Sequence, residues 1–219
     1  MPPIISFIGW HNSGKTTLAS QVVSHLKSRD YSVAVIKSTK ETNIIFDRPG
    51  TDTHTYSEAG ADTVTLIAPD QMVMMTKNPD INLTSLAHRY FADMDIVVAE
   101  GFKQERHIAK IEVSRGDTEL LRDQVTGVIA VATDRQISGD YIFRLDESFE
   151  IADFIEKRFL NEADRTTERT TLLVNGSKVP LKDFIQESLA GTVAGFVHSL
   201  KATHDMREIE LRIHLTPDT

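Results

Sequence analysis

The chain has 219 residues, 40% of them hydrophobic, which suits one α/β domain with an appendage or two small domains. A formal net charge of -8 argues against a sequence-independent grip on nucleic acid, and the absence of cysteine excludes disulfides and thiolate metal sites. No apolar run approaches the length of a membrane span, and the start Met1-Pro2-Pro3-Ile4 lacks a basic region and a cleavage site, so we expect a cytoplasmic protein with no membrane partner.

The first predicted elements surround a glycine-containing loop. An apolar strand over residues 4–8 leads into the stretch Gly9-Trp10-His11-Asn12-Ser13-Gly14-Lys15-Thr16. This stretch satisfies the phosphate-loop pattern G-x-x-x-x-G-K-[ST], and apolar residues at helical spacing follow from Leu18 onward. In such a loop, glycines let backbone N–H groups converge on phosphate oxygens at the start of a helix. The sequence therefore predicts a nucleotide site at residues 9–17.

Each position of this loop has an expected role. Lys15 reaches the β and γ phosphates and is a candidate catalytic residue, while the Thr16 hydroxyl is a candidate Mg²⁺ ligand. Thr17 offers a second hydroxyl nearby. The other loop positions are expected to surround the phosphates, His11 as a possible loop contact: Gly9, His11, Asn12, Ser13 and Gly14.

A second strand over residues 32–37 completes a β-loop-α-β unit, the parallel crossover on which phosphate loops lie. The polar stretch that follows has a turn at Pro49-Gly50 and a helix N-cap at Thr51 or Asp52. Two interpretations stay open for this stretch. It is either a loop that reaches the γ-phosphate or metal, with Asp52 as a binding candidate, or an ordinary solvated connection.

Two strands, residues 63–68 and 71–76, and a helix over residues 82–91 come next. We expect the methionines of the second strand, at positions 72, 74 and 75, to fill the core. The strand over residues 95–101 ends in Glu100 and Gly101. Because ligands bind at the carboxyl ends of parallel strands, both residues should lie beside the phosphate loop. Glu100 is thus a candidate for holding Mg²⁺ or orienting a catalytic water.

A charged loop over residues 102–107 precedes a strand at residues 110–113. Lys103 or Arg106 either contacts an anionic ligand or belongs to a solvated surface. The apolar strand over residues 127–132 is followed by Asp134. A carboxylate there can accept from both N1–H and the N2 amine of guanine, as in phosphate-loop GTPases, so Asp134 is the candidate for base recognition.

A helix over residues 147–160 closes the first predicted domain, residues 1–160. Residues 161–169 are uninterruptedly polar and are predicted to be a linker or an extension of the preceding helix. Residues 170–219 predict a small β-β-α-β module, with a hairpin around Asn175-Gly176, a helix at 182–200 and an alternating strand at 209–213. The predicted fold is α/β, a P-loop NTPase with a mostly parallel sheet flanked by helices, plus this small α+β C-terminal module.

Six motifs occur in a fixed order along residues 1–160: the loop at 9–17, Val35-Ile36-Lys37, the stretch 47–53, Ala59-Gly60-Ala61, the stretch 98–103 and Ala130-Val131-Ala132-Thr133-Asp134. With these motifs, residues 1–160 resemble the molybdopterin-guanine dinucleotide biosynthesis protein B (MobB) family. The resemblance implies a GTP-binding protein with weak Mg²⁺-dependent GTPase activity, usually a homodimer. It also implies that the protein assists a MobA-type guanylyltransferase that attaches GMP to molybdopterin, and it leaves open whether molybdopterin itself binds.

The chain departs from the family at two places. Family members commonly have histidines after the second-strand lysine, where this chain has Lys37-Ser38-Thr39-Lys40, so no histidine role transfers. The segment from about residue 167 lies outside the common family domain.

Two other functions use the same loop. A small-molecule kinase or ligase would need an acceptor pocket and usually a basic lid over the phosphates, and we see no clear arginine-rich lid. A GTP-dependent adaptor would work by switching its partner surface, with hydrolysis incidental. The sequence does not separate this adaptor from a slow GTPase.

Overall fold

A computed structural model describes residues 1–77, 81–160, 170–175, 177–200, 206, 208–211 and 213. The elements in chain order are β1 (Ile4–Ile8), α1 (Lys15–Lys27), β2 (Val33–Lys37), α2 (Asp52–Glu58), β3 (Thr63–Ile67), β4 (Met72–Thr76), α3 (Leu83–Phe91), β5 (Ile96–Glu100), β6 (Ala109–Ser114), β7 (Val128–Thr133), β8 (Ile142–Phe143), α4 (Ser148–Ile155) with a π-helical turn (Glu156–Leu160), β9 (Leu172–Val174), β10 (Ser177–Val179) and α5 (Asp183–His198).

Six strands form one parallel sheet in the order β2-β5-β1-β6-β7-β8. This confirms the predicted α/β class with a parallel sheet. β1 lies in the interior of the sheet, with β5 on one side and β6 on the other. The loop after β1 therefore emerges between the carboxyl ends of β5 and β6, where ligands bind in open parallel sheets.

Helices cover both faces of this sheet. Ile5 and Phe7 of β1 face one core, which α1 and α4 complete, whereas Ile4 faces a second core completed by Leu83 and Ala87 of α3. The alternation follows from the two-residue period of a strand. Burial on both faces explains why β1 and β5 are almost continuously apolar, apart from Ser6 and Glu100.

β3 and β4 form a separate antiparallel hairpin outside the main sheet. The side chains of Met72 and Met74 are exposed, and Met75 is only partly buried. The prediction that these methionines fill the core was therefore wrong. Val64 of β3 is buried, but a two-stranded sheet lacks a layer that covers both of its faces, so most of its apolar side chains stay at the surface.

Two charged side chains are fully buried in β6. The Glu112 carboxylate accepts from the N–H groups of Leu121 and Arg122 at 2.6 and 2.8 Å. Lys110 Nζ donates to the carbonyls of Glu105 and Thr126 at 2.6 and 2.7 Å, and burial lowers its pKa. These bonds fasten the connections on both sides of β6 to the sheet.

The C-terminal part contains the predicted hairpin, β9 with β10, and the predicted helix α5. The Thr170 hydroxyl donates to the carbonyl of Gln186 at 3.0 Å, which ties the two together. The predicted linker at 161–169 lies outside the described residues.

The described residues of the predicted last strand, 209–211 and 213, form no strand. Alternating apolar and charged residues suit a half-buried strand, but a strand forms only where a neighbouring edge pairs with its backbone. The division into two domains stays a prediction. Among the described helices, none is both long and apolar enough to cross a bilayer.

Candidate nucleotide site

The loop after β1 has a backbone that only glycine allows at two points. A Cβ on Gly9 would stand 2.2 Å from the carbonyl oxygen of Val113, so the loop packs directly on β6. Gly14 precedes α1 with φ 93°, a left-handed conformation that favours glycine. Between them Asn12 is also left-handed, and the Ser13 N–H donates to the carbonyl of Trp10 at 3.3 Å.

The N-terminus of α1 has the properties of an anion site. No side chain caps its first turn, and no acidic residue lies within that turn. Its first N–H groups therefore lack a capping side-chain acceptor, and no acidic residue of the helix itself offsets the positive end of its dipole. A phosphate group placed there would satisfy both.

Lys15, the first residue of α1, folds back across the loop. Its Nζ donates to the carbonyl of Trp10 at 2.5 Å and to the Ser13 hydroxyl at 3.4 Å. Burial lowers the pKa of Lys15; Glu100 opposes this effect, and the nearby Lys37 and Lys103 add to it. The Lys15 ammonium therefore lies near two other positive charges, those of Lys37 and Lys103, and a bound anion would neutralise this group.

Thr16 meets Glu100 at the end of β5. Its hydroxyl lies 2.8 and 2.9 Å from the two carboxylate oxygens, and Lys37 Nζ lies 3.2 Å from Glu100 Oε1. A hydroxyl and a carboxylate are hard oxygen donors of the kind that Mg²⁺ prefers. Among the described residues, no group of three or more His, Cys, Asp or Glu side chains is placed to hold a metal ion. The Thr16–Glu100 pair fits a Mg²⁺ ion that would take its other ligands from phosphates and water.

Gly101 and Asp134 occupy neighbouring strand ends. Gly101 has φ 98°, and its N–H donates to the carbonyl of Phe7 at 3.0 Å, which holds the end of β5 against β1. Asp134 follows β7 and is exposed, with one carboxylate oxygen accepting from the Gly116 N–H at 2.9 Å. In the strand order, β5 and β7 lie on opposite sides of β1, so Glu100 and Asp134 flank the loop.

Other predicted residues lie apart from this cluster. His11, Asn12 and Thr17 are exposed on the loop or the first turn of α1. Asp52 begins α2, and within the described residues no hydrogen bond or ion pair joins it to residues 9–17. Arg106 is exposed as well.

The polar residues before α2 form hydrogen bonds with one another within a single turn. Asp47 accepts from the Thr51 hydroxyl at 2.9 Å and from the Arg48 N–H at 2.8 Å, and Thr51 in turn caps α2 by accepting from the His54 N–H. These contacts agree with the solvated-connection interpretation of the stretch.

Sequence reasoning missed the contacts of Trp10 and the position of Arg115 beside the loop. Trp10 Nε1 donates to the carbonyl of Glu119 at 2.7 Å, and Lys103 Nζ lies 4.8 Å from the centre of the Trp10 ring. Arg115 Nη2 lies 3.7 Å from the position that a Cβ on Gly14 would take. The phosphate-loop pattern leaves position 10 free and says nothing of the loops that fold over it, so only the charged stretch around Lys103 carried a signal.

Comparison with known proteins assigns the chain to a family. The sequence profile described as "MobB: Molybdopterin guanine dinucleotide synthesis protein B" matches residues 4–134, more than half of the chain. The chain belongs to the MobB family. The matched range runs from β1 to Asp134 and so contains every strand end that surrounds the loop. The MobB structures have the P-loop NTPase fold, and the parallel sheet with helices of this chain matches them, which confirms the predicted fold class.

Three MobB-family proteins show how far the similarity extends. The molybdopterin-guanine dinucleotide biosynthesis adapter protein of Haemophilus influenzae is 35% identical, over 70% of this chain and 88% of its own. A Methanocaldococcus jannaschii protein with the same description, given provisionally, is 25% identical and covers 97% of this chain and 98% of its own. A crystal structure of molybdopterin-guanine biosynthesis protein B (mobB) superimposes with a TM-score of 0.58 at 28% identity, over 70% of this chain and 98% of that one.

Proposed function

We propose that this protein binds GTP with Mg²⁺ at residues 9–17, hydrolyses it slowly, and acts as an adapter for a MobA-type guanylyltransferase that attaches GMP to molybdopterin. The observation that carries the proposal is the contact between the Thr16 hydroxyl and the Glu100 carboxylate, at the uncapped start of α1. This contact supports the proposal, because a Mg²⁺–triphosphate requires an anion site and a cation site side by side.

The side chains around the loop divide the work. Lys15 exchanges the Trp10 carbonyl for β and γ phosphate oxygens, which are stronger acceptors because they are charged. Thr16 and Glu100 would hold Mg²⁺, which would supply charge neutralisation at the phosphates. Glu100 would also orient the attacking water, directly or through the metal's hydration shell.

Guanine recognition is assigned to Asp134. Gly116 engages one oxygen of its carboxylate from the backbone and fixes the side chain at the end of β7. The exposed face of the carboxylate is then available to the N1–H and N2 donors of guanine, which adenine does not offer together.

The adapter role is supported by the family and by the surface of this chain. The curated relatives are described as adapter proteins. α5 has no buried residue among those described, and Phe184 and Phe196 are exposed along it. An exposed apolar helix surface of this kind suits the binding of a protein partner, whereas a kinase would need an acceptor pocket.

A homodimer is part of the proposal. The β3–β4 hairpin exposes apolar side chains of both strands, namely Leu66, Ile67, Met72, Val73 and Met74. A second copy that covers this hairpin would remove the apolar surface from water. Light scattering should therefore give a dimer mass, and Ile67→Glu should give a monomer; a monomeric wild-type protein would contradict this part.

The direct test is equilibrium binding by calorimetry. GTP, GDP, ATP and molybdopterin are titrated into the purified protein with and without Mg²⁺. The proposal expects GTP and GDP to bind, GTP more tightly with Mg²⁺, and ATP to bind much more weakly. Tight ATP binding would favour the kinase alternative, and binding of molybdopterin would show that the adapter holds the acceptor itself. GTP binding with no hydrolysis would leave the GTP-dependent adaptor.

A further inference from the structure

Lys37 is a lysine of the site to which the proposed mechanism gives no role. It is the last residue of β2, and the parallel register pairs it with Glu100 at the end of β5. Its Nζ lies 3.2 Å from Glu100 Oε1 and 3.4 Å from the Thr16 hydroxyl oxygen. The ammonium therefore lies against both protein atoms that are assigned to Mg²⁺.

The two partners of this ion pair differ in freedom. The side chain of Glu100 is 14% exposed, and its backbone is fixed between β1 and β2. The side chain of Lys37 is 55% exposed, and four flexible carbons separate its ammonium group from the backbone. The carboxylate is thus a fixed site, while the ammonium is a counter-ion that is able to leave.

Binding of two cations to the Glu100 carboxylate at the same time is unfavourable in free energy. Mg²⁺ binds carboxylate oxygens at about 2.0–2.1 Å and demands near-octahedral geometry. An ammonium within hydrogen-bond distance of the same oxygen would lie in or against that coordination sphere, and the like charges would repel. Binding of the metal therefore requires Lys37 to withdraw.

We infer that Lys37 occupies the magnesium position of the nucleotide-free protein and competes with Mg²⁺ for Thr16 and Glu100. This inference rests on the proposed function for the identity of the metal. It assigns Lys37 as a positioning residue: it neutralises Glu100 when the site is empty and raises the Mg²⁺ concentration at which the site fills.

The test compares Lys37→Met, which keeps the apolar stem and removes the charge, with the wild-type protein. The control is Lys40→Met, which removes the same charge from an exposed position three residues further along. Mn²⁺ serves as a paramagnetic substitute for Mg²⁺, and electron paramagnetic resonance measures its binding to the nucleotide-free proteins. A second titration measures the Mg²⁺ concentration for half-maximal binding of a fluorescent GTP analogue.

We expect Lys37→Met to bind Mn²⁺ about three- to tenfold more tightly than the wild type and to lower the Mg²⁺ midpoint by a similar factor, since partly exposed ion pairs contribute modestly. Lys40→Met should leave both values unchanged. In a Glu100→Gln background the effect of Lys37→Met should largely disappear, because the site of competition is gone.

Two results would overturn the inference. Unchanged Mn²⁺ affinity in Lys37→Met shows that the ammonium does not compete, whether or not GTP binds. A loss of GTP affinity at saturating Mg²⁺ shows that Lys37 contacts the phosphates instead. Absence of GTP binding in the wild type would refute the proposed function but would leave the Mn²⁺ comparison able to decide the role of Lys37.

Discussion

The hydroxyl of Thr16 lies 2.8 Å from Oε1 of Glu100, although 84 residues separate them in the chain. The contact joins the first turn of α1 to the carboxyl end of β5, and the parallel pairing of β5 with β1 makes it possible. A hydroxyl that donates to a carboxylate can also turn its lone pairs to a metal ion that binds beside it. The first four predictions concern this site and the surfaces around it.

Lys15→Ala should weaken GTP binding by roughly 10- to 100-fold, because charge-assisted hydrogen bonds to the β and γ phosphates are lost. The fold should survive, since the bonds that Lys15 makes in the structure are local to the loop. Calorimetry measures the affinity. Lys27→Ala, at the far end of the same helix, is the matched control and should bind normally. Near-wild-type affinity in folded Lys15→Ala would remove the phosphate-loop assignment.

Glu100→Gln should keep most of the GTP affinity but slow hydrolysis by about 100-fold, since the charge that positions the metal and water is removed while the size is kept. Single-turnover hydrolysis at saturating GTP separates the two effects. Glu41→Gln, an exposed change in the loop after β2, should hydrolyse at the wild-type rate. If both turnover and Mg²⁺ dependence are unaltered in Glu100→Gln, the carboxylate is not part of the site.

Asp134→Asn should shift the preference from GTP toward xanthosine triphosphate by roughly 10- to 100-fold, because the amide offers a donor where the carboxylate offered an acceptor. The amide oxygen can still accept from Gly116, so the loop geometry should be kept. The ratio of the two affinities is the measurement, with the exposed Asp140→Asn as a control. An unchanged ratio would place base recognition elsewhere.

A protein truncated after Asp164 should remain folded and bind GTP, yet lose partner association or dimer stability. The aligned mobB crystal structure supports the first expectation, because 98% of that chain corresponds to only 70% of this one. The exposed apolar surface of α5 supports the second. Calorimetry with GTP and light scattering decide both. Loss of GTP binding would show that the removed segment completes the site, and an unchanged mass with unchanged partner affinity would leave it without this role.

Lys110→Met should lower the free energy of unfolding by about 1–3 kcal/mol, since the carbonyls of Glu105 and Thr126 lose their buried donor. The pH dependence has a defined sign. Burial lowers the pKa of folded Lys110 below its unfolded value of 10.5, so the unfolded chain binds more protons between the two values. Stability from this group therefore rises with pH across that window.

Urea unfolding at a series of alkaline pH values checks this behaviour. The difference in stability between wild type and Lys110→Met should grow as pH rises toward 10.5. The exposed Lys40→Met should run parallel to the wild type. A constant difference between wild type and Lys110→Met across the window would contradict the lowered pKa.

The sequence predicted those parts of the fold and site that depend on local pattern. The loop at residues 9–16 has a fixed spacing, and Glu100 ends an apolar run, so the rule for parallel strand ends placed it beside the loop. The contact of Lys37 with Glu100 could not be predicted, because it depends on β2 lying next to β5. The order of the strands in a sheet does not follow from their order along the chain.

The remaining differences also have physical causes. β8 has two residues, Ile142–Phe143, which is too short for any periodic pattern. Met72 and Met74 belong to a strand whose composition is typical of a buried strand, but composition does not show whether a second layer covers the hairpin. The bonds of Asp47 within its own turn compete with any role toward a ligand, and such local pairing is decided by backbone geometry.

Trp10 gives the loop a property that none of these experiments uses. It is the sole tryptophan in the chain, and its indole lies between the Glu119 carbonyl and the Lys103 ammonium. Indole emission responds to hydrogen bonding at Nε1 and to charges near the ring. An anion that draws Lys103 from the ring, or a loop movement that breaks the bond to Glu119, would change that emission. The unlabelled protein therefore carries its own optical signal for events at its phosphate loop, readable on the millisecond timescale of loop motion.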